Sequence, residues 1–533
     1  MQHHLSVLLL SPVLLTSSTY CQTGVFLPVA VSDSSAPGIE PSAEFGNFSQ
    51  LSINESGQVT FSSTLNASFD ATAYWARLDG SNVELIVRRG TPLPGIEPGV
   101  SLGNVIGPLT INDHGHLALS TLLIGPGIGS RNDKVVFSSA NGSGLERLIR
   151  EGDQAPGLDI GVTIFDIFHG NYLNNSGHSA FAAIVSGTGV TSGNNSVLFS
   201  SAVGNVIEPI AREGEHAHGL ASNVIYRDFD TPLLNNASQI AVLATVDGLA
   251  TNADNDTVIM APAGNDYLTA IVRENSPAHG LPAGVRYGAF DNIHFNDNGF
   301  VSYTSTVRGS GLTAQNNGAL FATLGGNGPS LMVRRGDQAP DAEIGVIFNN
   351  FAGTPQLTNA DQLLFRASLT GSNVDITNDG GIYRVQSDGV VSQIAREGEN
   401  VPGLSDQFVF TSFNQFGLEG NRSGEIVFWA GFTDGQSSFD GIFYASESRQ
   451  LWPLLMTGEM LDVDTDPVGT AYRIVEWIHP EIQFTDSGRI AAIVHFTDGT
   501  SGVYSAIIPA PGSMTGLAIS VHIGLRRQRR RTP

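Results

Sequence analysis

Cysteine is all but missing: Cys21 is the one copy in 533 residues, so no internal disulfide and no Cys-based metal site can form. Charge is scarce as well, at 14% Asp, Glu, Lys and Arg. With 41% hydrophobic residues the chain has ample core material and too little charge for a disordered protein. Acids are absent from residues 1–21 and 509–533, while Arg526, Arg527, Arg529, Arg530 and Arg531 crowd the tail. The body between therefore holds all 50 acids against all but five of the 26 basic residues. So negative a body repels phosphate backbones and anionic lipid, which excludes nucleic-acid binding. Apolar periodicity of 3.6 is absent throughout, and with it any helical domain. No phosphate loop, dinucleotide fingerprint, Gly-x-Ser-x-Gly or His-Glu-x-x-His occurs.

What is present is a repeat. The octapeptide REGDQAPG at Arg150 returns as RRGTPLPG at Arg88, REGEHAHG at Arg212, RENSPAHG at Arg273, RRGDQAPD at Arg334 and REGENVPG at Arg396. Its third residues, Gly90, Gly152, Gly214, Asn275, Gly336 and Gly398, are 62, 62, 61, 61 and 62 apart. Weaker copies at Asp33 and Gly458 make eight places. A second mark follows each by about 22 residues: Asn54, Asn112, Asn174, Asn235, Asn296, Thr358, Asn421 and Thr485, mostly as Asn-x-x-Gly. Asn or Thr followed by a residue able to take positive φ reads as a tight turn.

Beyond each turn runs a period-two segment, such as Val59-x-Phe61, Leu117-x-Leu119, Val301-x-Tyr303 and Ile426-x-Phe428. That is a half-buried strand. A variable polar loop (SGTGVTSGNNS from Ser186), a strand over 197–201 and a strand over 206–212 follow, with another after the box over 162–168. Four antiparallel strands per unit of fixed length predict an all-β chain and a β-propeller of eight four-stranded blades, starting near 45, 102, 161, 222, 284, 345, 408 and 470. The last unit lacks an outer strand, and residues 24–31 supply it, closing the ring from the N-terminus. Seven blades or an open β-solenoid are the alternatives. The domain division is 1–21 leader, 22–508 propeller and 509–533 tail.

The ends give an address. Residues 5–15, LSVLLLSPVLL, have the length of the apolar core of a secretory signal, with cleavage expected after Cys21. Residues 509–533 place Pro509-Ala510-Pro511, an apolar stretch and an Arg cluster in an order that resembles PEP-CTERM-type sorting signals. With the Asn-x-x-Gly turns at Asn54, Asn112, Asn174, Asn235, Asn296 and Asn421, the chain is similar to a family of bacterial tandem-repeat surface proteins with interchangeable C-terminal anchors. Thr358 and Thr485 depart from that mark. The resemblance implies export, retention at the cell surface or envelope, and export machinery and a sorting protease as partners. It implies no chemistry.

Candidate site residues lie on the end of the ring that carries boxes and polar loops. Arg88, Arg150, Arg212, Arg273, Arg334 and Arg396, with Glu151, Glu213, Glu274 and Glu397, would stand at equivalent places; the simplest reading is that each arginine pairs with a box carboxylate and pins a link between blades. A ligand-binding ring of the arginines with Glu151, Glu213 and Glu397 is the functional reading, for a polysaccharide or surface protein. Glu151/Asp153, Glu213/Glu215 and Glu397/Glu399 are carboxylate pairs of the kind glycoside hydrolysis uses, which makes an extracellular carbohydrate-active enzyme the alternative. Their recurrence argues against a unique catalytic pair. His218 and His279 replace the box proline in neighbouring blades, and with His216 they could touch a metal. Asp462, Asp464 and Asp466, and likewise Asn252, Asp254 and Asp256, have the alternate-residue oxygen spacing of a Ca²⁺ loop, but Pro467 and Arg473 occupy places where an EF-hand needs Gly and Glu. Ca²⁺ is thus a candidate cofactor.

Overall fold

The computed structural model describes residues 26–508 apart from 40–42, 67, 81, 143, 265, 325–327 and 466–470, together with the paired two-residue strands Tyr20–Cys21 and Ala518–Ile519. The rest of the leader and tail, and Asp466, lie outside the described residues. No α-helix occurs among the described residues.

Eight antiparallel sheets form the blades of a β-propeller, and they begin at Phe45, Ser101, Val162, Ile225, Arg286, Ile347, Val409 and Tyr472. Blade three is representative: Val162–Asn171 is innermost, then Ala180–Gly187, Ser196–Ser200 and Glu208–Arg212 at the rim. Blade eight is closed from the other terminus. Its strands Tyr472–Phe484, Arg489–Phe496 and Ser501–Ile507 receive Leu27–Val31 as the outer strand, with Leu27 opposite Ser505 and Val31 opposite Gly502. The alternatives of seven blades or an open β-solenoid are thereby removed.

Period two decides which side chains meet. In the second and third strands Phe181 faces Phe199, Tyr303 faces Phe321, Phe365 faces Tyr383 and Phe428 faces Phe443, each pair with ring centroids 5.4 to 5.6 Å apart. These rings are buried between blades rather than within one: Val136 and Ile149 of blade two pack with Ile164, Phe181 and Phe199 of blade three. A single blade therefore has no core of its own, which is why the repeat must close.

The octapeptide is the joint. All eight third residues take left-handed backbone, with φ from 62° at Asn275 to 91° at Gly458. That bend turns the chain into a short ladder with the next inner strand: Gly152 N–H donates to Ile164 O at 2.8 Å, Ile164 N–H to Asp153 O at 2.9 Å and Ala155 N–H to Val162 O at 2.8 Å. The sixth residue is the wedge. Ala155, Ala217, Ala278 and Ala339 are buried there, and Val401 fills the same place. In the seventh copy Met460–Asp462 instead adds a short fifth strand to blade eight.

The second mark forms the opposite end of the ring, and its fourth residue is left-handed in every copy, from 58° at Asp361 to 82° at Gly299. Within the turn, Asn174 Oδ1 accepts from Ser176 N at 3.0 Å and His178 N at 2.8 Å. Its Nδ2 then donates to Asn235 O of the next blade at 2.9 Å. Asn54, Asn112, Asn235 and Asn296 make the same bridge, to Asn112, Asn174, Asn296 and Thr358. Asparagine thus does what threonine cannot, since Thr358 keeps the turn contacts to Ala360 N and Gln362 N but has no amide to send across.

Candidate axial cavity and the two ends of the ring

Two hollows lie at opposite ends of the propeller. The larger, about 770 Å³, sits on the axis at the turn end, against Ile53, Ile111, Leu173 and Phe484. Around it stand the residues directly after the turn Asn or Thr: Glu55, Asp113, Asn175, Asn236, Asp297, Asn359, Arg422 and Asp486. They form a second stitched ring. Glu55 N–H donates to Asp113 Oδ1 at 3.0 Å, Asp113 N–H to Asn175 Oδ1 at 3.0 Å, Asn175 N–H to Asn236 Oδ1 at 3.0 Å, Asn236 N–H to Asp297 Oδ1 at 2.8 Å and Asp297 N–H to Asn359 Oδ1 at 2.9 Å. Arg422 N–H donates to Asp486 Oδ1 at 2.6 Å, and Asp486 N–H to Glu55 Oε1 at 2.8 Å, which carries the ring across the seam between blades eight and one; at Arg422, which has no acceptor, the series is interrupted, and Asn359 Nδ2 reaches past it to Asp486 Oδ2 at 3.0 Å. Arg422 is the one cation of the ring. Its guanidinium lies 3.4 Å from Asp486 and 3.9 Å from Asp297 and is well exposed.

Sequence reasoning passed over this ring, although the signal was visible: seven of the eight residues after the turn Asn or Thr carry an acceptor side chain, in NESG, NDHG, NNSG, NNAS, NDNG, TNAD and TDSG. Polar side chains are also buried along the inner strands. Gln356 Nε2 donates to Glu419 Oε2, and His294 Nδ1 accepts from Leu357 N at 3.3 Å. Burial pushes the Glu419 carboxyl up to about 7 and holds the His294 imidazole down at about 4.

The smaller hollow, about 280 Å³, is at the box end of blade six, lined by Glu343, Ser372, Asn378, Arg396, Glu397 and Glu399 among others. It contains three of the candidate residues, Arg396, Glu397 and Glu399. The predicted arginines as a set do not converge: each ends an outermost strand, so they stand at the rim, three strand spacings or roughly 14 Å outside the inner strands. Their bonds also differ from the expected box pairing. Arg150 Nε donates to Asn132 O, Arg212 Nε to Asn194 O, Arg273 Nε to Asn255 O and Arg396 Nε to Asn378 O, at 2.7 to 2.9 Å. The left-handed third residue folds the box back, and the arginine comes to lie along the polar loop of its own blade. Arg150 alone of the six forms an ion pair among the described residues, with Glu97, 2.8 Å away. Arg88 is exposed, and Arg334 binds Asp337 through its backbone N–H at 2.7 Å.

The loops that receive these arginines are less variable than their sequences suggest. Asn132, Asn194, Asn255, Asn316 and Asn378 each accept from an N–H three residues earlier and donate to a carbonyl five residues earlier. The box glutamates close the same loops: Glu151 Oε2 accepts from Lys134 N, Glu213 Oε2 from Asn195 N and Ser196 N, and Glu397 Oε2 from Gly380 N. Arg and Glu thus pin a loop within one blade, and the link between blades is carried by the box backbone and its buried alanine.

The histidines and the acidic loops are separate. His216 Nε2 meets Leu220 O at 3.1 Å, His218 lies ring against ring with His216, and His279 Nδ1 meets Tyr287 Oη at 3.2 Å. Asp254 is taken by Arg308 at 2.6 Å, Asn252 Oδ1 accepts from Asp254 N, Asp256 meets the Thr257 hydroxyl, and Asp462 Oδ1 accepts from Asp464 N. Among the described residues no group of three or more His, Cys, Asp or Glu could hold a metal ion.

Buried carboxyls make stability depend on pH. Burial raises Glu151, Glu419 and Glu459 to about 7 and Asp440 to about 6. Carboxyls with raised folded-state values bind protons more readily in the native state, so stability rises as pH falls from about 8 through 7. His294 and His495, both lowered to about 4 by burial, act oppositely below 6.5. The melting temperature is expected to be several degrees higher at pH 6 than at pH 8, with the gain flattening at lower pH; calorimetry across that range checks it, and Glu419→Gln should reduce the slope.

No curated protein matches the chain. Among solved structures it is similar to a puromycin hydrolase, at 11% identity over 85% of this chain and 58% of that one, with a TM-score of 0.34. The WD40 domain of SCAP from fission yeast aligns at 8% identity over 92% and 99%, TM-score 0.34, and the polysaccharide lyase Uly1 at 10% over 79% and 94%, TM-score 0.33. The chain spans little more than half the length of the puromycin hydrolase. Its own residues 66–265 and 255–515 match a family of unknown function, DUF7453, and the chain belongs to that family.

Proposed function

We propose that this protein is exported, retained at the bacterial cell surface, and acts there as a binding module whose ligand enters the axial cavity at the turn end. The cavity itself carries the reading: about 770 Å³, lined mostly by carboxylate, amide, hydroxyl and guanidinium groups, with Ile53, Ile111, Leu173 and Phe484 as its apolar patches. A mostly polar lining with a few apolar side chains suits an organic ligand with many hydroxyls, such as a stretch of surface polysaccharide. Because Asp113, Asp297, Asp486 and Glu55 already accept backbone N–H groups, they are held in place as hydrogen-bond acceptors around the mouth of the cavity. In this reading export machinery acts on residues 1–21 and a sorting protease on 509–533. Ile508 N–H bonds Gly488 O at the turn end, so the propeller's last described residue lies at the same end as the cavity.

Full-length protein exported by a bacterial host, screened against polysaccharides with binding and product release both followed, tests the proposal. Binding without product is expected, and Arg422→Ala should weaken it about tenfold, the worth of one charged hydrogen bond. Release of reducing ends would overturn it in favour of a carbohydrate-active enzyme.

A further inference from the structure

We propose that Lys134 and Asp166 join through an intramolecular isopeptide bond that staples blade two to blade three, with Glu151 relaying the proton. The sequence contains a single lysine; every other member of its 26 basic residues is arginine. That lysine opens the third strand of blade two, Lys134–Ser138, and reaches the inner strand of blade three. Its Nζ lies 2.5 Å from Asp166 Oδ1, 2.9 Å from Ile167 O and 3.7 Å from Glu151 Oε1. The Glu151 side chain is only 4% exposed, and its other oxygen accepts from the backbone N–H of Lys134 at 3.2 Å. Amine, carboxyl and a buried second carboxyl are thus in contact, which is the arrangement amide formation between side chains requires.

The repeat supplies an internal control. One blade on, Glu213 accepts from Ser196 N, and Ser196 Oγ donates to Asp228 Oδ1 at 2.7 Å. The glutamate and the aspartate belong to the architecture, and a hydroxyl is enough to satisfy them. Elsewhere Thr257 and Gly380 occupy the place, beside Glu274 and Glu397. Among the described residues, only between blades two and three does an amine stand there. An ion pair alone would be served by arginine, which this chain uses everywhere else, whereas arginine cannot give up its proton to become a nucleophile.

The step balances without a co-reactant. The reacting forms are the neutral amine and the carboxylic acid, which differ from the ion pair only by one proton moved within it. Nζ attacks Cγ of Asp166; Glu151, whose carboxyl burial raises to about 7, takes the proton from nitrogen and returns it to the hydroxyl leaving Cγ. One C–N bond forms, one C–O bond breaks, one water departs, and nothing is oxidised or reduced. Fixed contact replaces a bimolecular encounter, an advantage equivalent to a local concentration of about 10⁵ M or more.

A single lysine makes the test sharp. Full-length folded protein is denatured and digested with a lysine-specific endoprotease, which cuts an unlinked chain once, after Lys134. The linked chain is expected to resist cleavage and to weigh one water less than its sequence, and a peptide map should join Lys134 to Asp166. Asp166→Ala should restore complete cleavage, and Glu151→Gln should leave most of the chain cleavable. Quantitative cutting of the wild-type chain into two fragments at unaltered total mass would overturn the proposal, as would a cross-link to any residue other than Asp166; neither outcome depends on whether the variants fold.

Discussion

A chain that begins at Asp33, and so lacks Leu27–Val31, is expected to lose more than about 10 °C in melting temperature or to aggregate outright. The strand is short, but Phe26, Val29, Ala30 and Val31 are all buried, and they belong to two different cores: Phe26 packs with Val475, Ile490 and Tyr504, whereas Val29 and Ala30 pack with Phe45, Phe61 and Ala491. Each large apolar side chain contributes about 1.5–3 kcal/mol on burial, so the loss is of the order of a whole domain's net stability. Ser32 adds a bond from its Oγ to Gly46 O at 2.8 Å and another to the Ser501 hydroxyl, so the deletion also loosens blade one. What remains is Ser501–Ile507 as an open edge, a template for pairing with another chain. Calorimetry and size-exclusion chromatography read the result. A monomer that unfolds cooperatively at an unchanged temperature would show that the ring does not need this closure.

That closure was legible in the sequence, and so were the eight blades, because both rest on local chemistry. Period-two segments such as Val301-x-Tyr303 announce a strand wherever they occur, and left-handed backbone at Gly152 or Gly177 requires a residue that the sequence displays openly. Even Asp33 and Asn275, which replace glycine in the box, adopt the same φ, so the spacing rather than the residue type carried the reading. The site was harder to see. Asp113 and Asn175 look like ordinary polar turn residues until the next blade is placed beside them, since their acceptors face an N–H that is about 60 residues away in sequence. The box alanines are silent for the same reason: Ala155 and Ala217 are small because two blades approach there, and no pattern within one unit records that distance. The arginines' partners were equally hidden. A charged residue repeated six times reads as a structural pin or a ligand contact, and only the fold shows Arg212 and Arg396 placing their Nε on loop carbonyls of their own blade.

Replacing Asn174 separates the turn from the bridge between blades. Asn174→Thr is expected to cost about 1–2 kcal/mol, because a hydroxyl can still accept from Ser176 N and His178 N, as Thr358 does in its own turn, while the bond from Nδ2 to Asn235 O is lost and leaves that carbonyl without its donor. Asn174→Leu should cost more, about 3–5 kcal/mol. Leucine has the same branching and the same number of side-chain heavy atoms but is bulkier and satisfies none of the four partners, which include the Ser238 hydroxyl at 3.1 Å, and the site is too enclosed for water to replace them all. Urea unfolding of the two variants checks the order. The two native threonine turns set the scale: blade six folds without the bridge, so the threonine variant must remain a closed ring, and equal losses from Thr and Leu would mean that the bridge between blades, rather than the turn, carries the whole effect.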